Sequence, residues 1–383
     1  MRRVDTLPKW ADLLLLPLIN ISVAFFFSGL LIAALGENPL AVLDAMIKGA
    51  FVYRGGLGYT LYYTTNFIFT GLAVAIAFHA KQFNIGGEGQ AALGGLGAAL
   101  AAIYLAPFLP ALLLIPLIVL ASALFGAAWG FVPGYLQAKR GSHIVITTIM
   151  FNFIAAALLV ALLSGPMMQP GQMSPQSINF ASNALIPKVY QVAQSLGIKI
   201  ARSPFNFSFV LALVVAFGIW VLIWRTRFGY AVRAIGANEE AARYAGIYVP
   251  KVTMIVMAIS GALAGMMAIN EVIGSSGRLI LNFTAGYGFI GIAVALIGRN
   301  HPLGIVFAAL LFGFLIQGGS EISFTYPNIS REMVLVIQGL IILFSGALNY
   351  LFSPLLIWFF SLVRPQEVST KEKHKKEEAE QNA

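Results

Sequence analysis

Cysteine is absent from the 383 residues, and charge is scarce, with Asp, Glu, Lys and Arg together making up 10%. The first absence excludes disulfides, thiolate metal sites and a cysteine nucleophile. The second excludes an ordinary soluble domain, in which about a quarter of the residues are charged. Histidine is sparse too. His79, His143, His301 and His374 are scattered, with no HExxH or His-x-His arrangement, so neither a metal centre nor an enzyme's catalytic cluster is set up. There is no G-x-x-x-x-G-K-[ST] loop for an ATP phosphate. The two dinucleotide-like patterns, Gly87 to Ala92 and Gly286 to Gly291, lack a preceding strand and a following acid.

What the chain has is apolar length. Hydrophobic residues make up 59%, and the mean hydropathy is +0.83, the composition of a polytopic all-α membrane protein. A span needs about 20 apolar residues. On that criterion about ten transmembrane helices are expected, at 11–35, 58–79, 86–106, 111–136, 144–164, 207–224, 252–273, 286–298, 302–318 and 333–357. The eighth and ninth are short and separated only by GRNHP, as in a tight hairpin or a partly re-entrant pair. The first run is too long for a signal-peptide core and reads as a retained span.

The net charge of +9 fits orientation better than nucleic acid binding. With both termini in the cytoplasm, the inner loops collect Lys81, Lys139, Arg140, Arg225, Arg227, Arg233, Arg243, Lys251 and Arg299 as well as the basic ends of the chain. This places the protein as a multi-pass protein of the cell membrane with both termini in the cytoplasm. Residues 1–363 form the transmembrane domain. Residues 364–383, charged and without periodicity, read as a disordered cytosolic tail that is mostly solvated, with lysines able to meet anionic membrane lipid. The proline- and amide-rich stretch 165–206 reads as an outer cap or docking surface.

In the stretch NIGGEGQAALGG, residues 84–95, the first seven residues set three glycines, an acid and two amides among apolar runs. It predicts a broken helix near 84–90, tolerated at membrane depth only where the backbone packs in protein or lines a cavity. Gly87, Ala91, Gly95 and Ala99 also repeat at four-residue spacing, a small-residue stripe for a close helix neighbour. Two readings stand side by side. In one, the stripe is a tight crossing and Glu88 faces interface water. In the other, favoured here, Asn84, Glu88 and Gln90 belong to a polar turn lining a translocation path. Asn66, Thr147, Thr148, Asn152, Asn270 and Glu271 are further polar residues inside spans. Each taken singly is an ordinary helix–helix hydrogen bond; together they describe an interior suited to a neutral, hydroxyl-bearing solute.

The loop 225–251 contains a helix that does not belong to the membrane. Asn238 suits the N-cap, Glu239 and Glu240 complement the helix N-terminus, and Gly246 suits the position just past the C-terminus. The helix near 239–245 is too short to be stable alone, so it must dock on a partner or on the membrane face. A permease that borrows its motor is the consequence for a chain with no ATP site. The rival from another class is an ion-coupled secondary transporter in which Glu88 and Glu271 carry the coupling.

Four ordered motifs, FNIGGEGQAALGG, ITTIMFN, RAIGANEEAARYAGI and FTAGYGFIGIAVALIGRNHPLG, resemble the permease subunits of bacterial ABC importers for nucleosides and simple sugars, a group that includes the ribose and branched-chain amino acid permeases. The resemblance covers roughly residues 10–350, and NIGGEGQ looks most like the nucleoside branch. It implies that Arg233, Gly236, Asn238, Glu239, Glu240, Ala241, Ala242, Arg243 and Gly246 form the coupling segment that seats in a separate ABC ATPase subunit, which binds the ATP; this chain itself needs no cofactor. It implies further partners, namely a second permease subunit, related or identical, and an extracytoplasmic substrate-binding lipoprotein. Ribose or another simple sugar is the alternative substrate. The family often carries acids where this chain has Ile144 and Ile290.

Overall fold

The computed structural model describes residues 15–330, together with residue 11 and the stretches 333–340, 343–344, 354 and 356–358. Among them every regular element is helical, and extended pairing is limited to two isolated antiparallel bridges, Gln176 with Ile280 and Lys188 with Asn206. The chain divides into two compact units. Met1–Leu40 with Asn328–Ala383 form one, and Ala41–Pro327 form the other. In the first, α1 (Leu16–Ala34) brings Phe27 onto Phe344, with ring centres 4.6 Å apart, and Asn328 donates to the Glu37 carboxylate at 2.8 Å.

The second unit carries the functional residues. After α2 (Pro39–Ile47) its helices are α3 (Gly56–His79), α4 (Gly87–Leu105), α5 (Ala111–Arg140), α6 (Ile144–Leu163), α7 (Val189–Ser195), α8 (Ser208–Arg225), α9 (Arg227–Ala237), α10 (Glu239–Tyr244), α11 (Val249–Ala268), α12 (Tyr287–Ile297) and α13 (Pro302–Thr325). Helix α3 is the central rod. It is almost wholly buried although it carries several threonines, because their hydroxyls turn back onto their own helix. Thr64 donates to the Thr60 carbonyl, Thr65 to Leu61 and Thr70 to Asn66, at 2.7, 2.8 and 3.1 Å. In a medium without water these internal bonds make the hydroxyls compatible with burial.

Beside it, α11 meets α4 and α5 backbone to backbone. A Cβ on Gly126 or Gly130 of α5 would run into the main chain of α11 at Gly261, and one on Gly94 of α4 would run into Gly265. Ser122 donates to the Gly265 carbonyl at 2.8 Å within the same seam. The single small-residue stripe expected on α4 is thus one face of several. Gly95 lies under the Phe283 ring, Gly97 against Ala121 and Phe125, and Gly87 against Gly288. Small residues on all sides permit contact on all sides, and this explains why so glycine-rich a helix is stable here.

The expected count of ten spans is corrected. Six helices are long and apolar enough to cross a membrane, or seven if the segments on either side of the 35–38 turn count as one span, among the described residues. Helix α4 has 19 residues but carries Glu88, Gln90 and five glycines, so its apolar content falls short. Helix α12 has only 11 residues, about 16 Å, half a bilayer core. The span expected at 333–357 lies partly outside the described residues, and the tail 364–383 lies wholly outside them. The broken helix near 84–90 is also corrected. The chain leaves α3 at His79, turns through Lys81 at φ +54°, runs extended to Ile85 and starts a new helix at Gly87.

The 165–206 stretch folds as a cap. Its backbone amides at Ser177, Phe180 and Ile186 donate to the carbonyls of Leu279, Gly277 and Ile273, at 2.9, 2.8 and 3.1 Å. The glycine seam predicts a contrast. Gly261→Val forces two main chains apart, and overpacking of this kind costs about 1–3 kcal/mol or more. Gly218→Val on α8 meets nothing within 4 Å and leaves stability unchanged. Thermal unfolding of the two purified variants in detergent checks this.

Candidate functional site

The predicted polar residues fall into two clusters separated by about two turns of α3, roughly 10 Å. The first surrounds the 80–86 turn. Asn84, 1% exposed, donates to the Gln90 side-chain oxygen and to the Ser260 hydroxyl, both at 2.8 Å, and Ser260 passes its own proton to the Ala73 carbonyl of α3 at 2.5 Å. Gly86 N–H donates back to Asn84 at 2.8 Å. From α6, Asn152 accepts from the Gly89 N–H and donates to the Ile85 carbonyl, at 2.8 and 2.9 Å. Thr148 is buried beside Gly86, with its hydroxyl spent on the Ile144 carbonyl of its own helix at 2.8 Å. These amides do what a broken backbone requires, since each supplies partners for main-chain groups that have no helical one.

Glu88 is half-buried. Its two carboxylate oxygens accept from the backbone N–H groups of Gly286 and Gly288, at 2.8 and 2.9 Å, across the start of α12. One carboxylate therefore lies in the first turn of α4 and against the first turn of α12, two positive helix ends at once. Gly288 is glycine because its Cα lies directly on the Gly87–Glu88 backbone.

The second cluster lies nearer the start of α3. Helix α11 ends in a π-helical segment, Ile269–Ser276, whose wider turn buries the consecutive Asn270 and Glu271 together. Asn66 donates to Glu271 at 2.5 Å, Asn270 donates to the Asn66 side-chain oxygen at 2.8 Å and to the Tyr62 carbonyl at 3.0 Å. Asn206 and Ser208 both donate to Asn270, at 2.8 and 2.9 Å. Sequence reasoning found Asn66, Asn270 and Glu271 but missed Asn206, Ser208 and Tyr62. The available signal was the Asn-Phe-Ser triplet immediately before an apolar run, which reads as a helix start. Asn206 indeed accepts from the Ser208 N–H at 3.0 Å.

Above this cluster, between the first turns of α3 and the cap, an open cavity of about 460 Å³ is walled by tyrosines with Lys188 and Arg202. At the other end of α3 lie α9 and α10. Helix α9 is an amphipathic segment not expected from the sequence, started by Thr226, whose hydroxyl accepts from the Gly229 N–H at 3.0 Å. Its Gly236 presses against the His79 carbonyl at the end of α3, where any Cβ would collide. Helix α10 has its expected caps, with the Asn238 side chain accepting from the Ala241 N–H at 3.0 Å and Gly246 at φ +81°. Ala242 is its one buried residue and packs with Ile235 and Val249. Arg233, Glu239, Glu240, Ala241, Arg243 and Tyr244 are exposed, with Arg243 bound to Glu239 at 2.5 Å. Ile144, one of the two isoleucines set apart by sequence, is buried among Ala77, Ala80, Val232, Val256 and Met257, an apolar plug near this end, whereas Ile290 is half-buried on α12.

A polytopic helical protein with polar residues lodged in its core and a short helix held out from one end is a membrane permease by architecture. The chain belongs to the family of permease components of branched-chain amino acid transport systems, whose pattern matches residues 56–346. It is similar to a glucose ABC transporter permease of Haloferax volcanii, 33% identical over 328 residues, covering 86% of each chain. It is similar also to a nucleoside ABC transporter permease of Lactococcus lactis, 32% identical over 86% of this chain and 90% of that one. A guanosine ABC transporter permease of Bacillus subtilis is 33% identical over 86% of this chain and 92% of its own length.

The Glu88 bridge carries a prediction. Glu88→Ala leaves two amides at the start of α12 without their acceptor, at a cost of about 1–3 kcal/mol apiece. Glu88→Gln keeps a single neutral acceptor and loses less. The expected order of detergent melting temperatures is wild type, Gln, Ala.

Proposed function

We propose that this chain is the transmembrane subunit of an ATP-driven importer of nucleosides, energised by a separate ABC ATPase and supplied by an extracytoplasmic binding lipoprotein. The observation that carries the mechanism is α10. It is capped at both ends, seated by Ala242, and turns Glu239, Glu240, Arg243 and Tyr244 outward, Tyr244 being 95% exposed. Such a helix is a surface for a partner. Its rigid connection to α3 through Gly236 and His79, and to α11 through Val249, transmits movement of the partner to the core helices. In this reading the α9–α10 end and both termini are cytoplasmic, a second permease subunit completes the pathway, and ATP is bound by the ATPase alone. Arg233, Gly236, Asn238, Ala241 and Gly246 then serve the coupling segment by shaping and placing it.

The substrate class rests on the nucleoside and guanosine permeases that match this chain along 86% of its length. A simple sugar is the second reading, favoured by the glucose permease of Haloferax volcanii. An ion-coupled carrier fits less well, because Glu88 is engaged by two backbone amides and Glu271 by Asn66. Translocation past Asn84, Gln90, Thr148, Asn152, Asn66 and Glu271 requires the two hydrogen-bonded clusters to open in turn, which is the work that the ATPase supplies.

Arg243→Glu places three acids on the outer face of α10 and disturbs only an exposed pair worth about 0.3–0.5 kcal/mol. The variant should reach the membrane at wild-type level, lose uptake and fail to co-purify with its ATPase. Normal uptake would reject the docking role. Gly236→Pro also abolishes uptake, but it breaks the packing on His79 as well, so Arg243→Glu is the cleaner test. For the substrate, cells lacking the chain should lose uptake of labelled adenosine and uridine, and excess ribose or glucose should not compete in cells that have it.

A further inference from the structure

The cavity at the start of α3 has no role in coupling, and its chemistry is specific. Tyr59, Tyr62, Tyr63 and Tyr190 line one opening of about 460 Å³, within the range of about 300–1,000 Å³ typical of small-molecule sites. Tyr62 and Tyr63 meet edge to face with ring centres 5.3 Å apart, so two successive positions of α3 hold a preformed aromatic corner. Lys188 is oriented by its bond to the Ser275 carbonyl at 3.2 Å. The cap segment is pinned to the helix, with Gly55 under the Arg202 carbonyl and Gly58 against Ser203. The walls are therefore built rather than incidental.

The charge of the lining selects the ligand. Lys188 and Arg202 are the charged residues at the opening, and no carboxylate lines it. A cation is disfavoured there. The ammonium and guanidinium groups donate only, and they match a ligand whose edge is rich in acceptors. Aromatic rings together with cationic donors suit a planar nitrogen heterocycle, whose faces stack and whose ring nitrogens accept. The floor of the cavity is Tyr62, whose hydroxyl lies against Glu271, so an occupant sits directly above the polar cluster that interrupts α11.

We propose that this cavity is the receiving site of the permease, holding the nucleobase of a nucleoside between Tyr63 and Tyr190 with Arg202 on its acceptor edge. The proposal deepens the nucleoside reading above and rests on it for the choice of ligand. The test is equilibrium binding of tritiated adenosine to the purified full-length chain in lipid nanodiscs. Tyr63→Ala and Tyr190→Ala should each weaken binding by about tenfold or more, the scale of a lost base–aromatic stack. Tyr63→Phe and Tyr190→Phe keep the ring and should bind within about twofold of wild type, which separates stacking from a general loss of fold. Tyr104→Ala, on an exposed residue away from the cavity, is the control. Adenosine binding that is absent, unchanged in the alanine variants, or displaced equally well by ribose would overturn the site. Uptake in cells is read separately. Nucleoside uptake with no cavity effect keeps the importer reading and removes the site, whereas cavity-dependent binding without nucleoside uptake keeps the site and removes that reading.

Discussion

Close approach of helix backbones, made possible by glycine, is the constraint on which the rest of this structure depends. Inside a membrane, apolar side chains gain little by leaving lipid for protein, so helix association relies on van der Waals contact and on hydrogen bonds that only close packing can bring within reach. Here α5 and α11 meet at Gly126, Gly130 and Gly261, and α4 joins them at Gly94 and Gly265. Of these three, α11 also packs along α3, which α8, α12 and α13 enclose on its other sides, so its threonines and Asn66 can be buried without water. The seam also lets Ser260 of α11 reach both the Ala73 carbonyl and Asn84, and so ties the turn between α3 and α4 into the core.

The polar groups then follow a single logic. Where the helical ladder is interrupted, at residues 80–86 and at the start of α12, a side chain supplies the missing main-chain partner, and at the π-helical end of α11 the buried side chains satisfy one another. Asn152 and Asn84 serve the first interruption and Glu88 the second, whereas Asn66 and Asn206 bond to the Asn270 side chain at the end of α11. Interrupted helices are the places where a membrane protein can rearrange, because their hydrogen bonds are made by side chains that can change rotamer. The two ends of α3 link these places to the outside of the unit. One end borders a tyrosine-walled cavity, and the other bears on α9 and α10 through the His79 carbonyl.

Much of this was legible in the sequence, and the reasons differ by element. The caps of α10 are local, depending on Asn238 and Gly246 within one turn of the helix, so they could be placed to within a residue. The apolar runs that became α3, α5, α6, α8, α11 and α13 were legible because length and hydropathy are properties of a segment by itself. The span count was not, because α4 and α12 are segments whose role depends on being surrounded by protein. A 19-residue helix with an acid, an amide and five glycines reads as a span only if lipid is assumed to touch it, and here it is enclosed instead.

The sequence by itself determined the class of protein, the membrane setting, the family and the short helix at 239–244, all of which rest on composition, local capping and ordered motifs. Only the tertiary structure decided how the polar residues are used. Glu88, expected at an interface or in a polar lining, bridges two helix starts nearly two hundred positions apart. Asn66 and Glu271 became partners through a π-helical turn that no periodicity announces. The tyrosine cavity gathers residues from α3, the cap and the end of α11. Hydrogen bonds and cavity walls between distant segments are set by the three-dimensional register of helices, and that register is fixed here by where backbones can touch, a property of pairs of helices that a single segment does not contain.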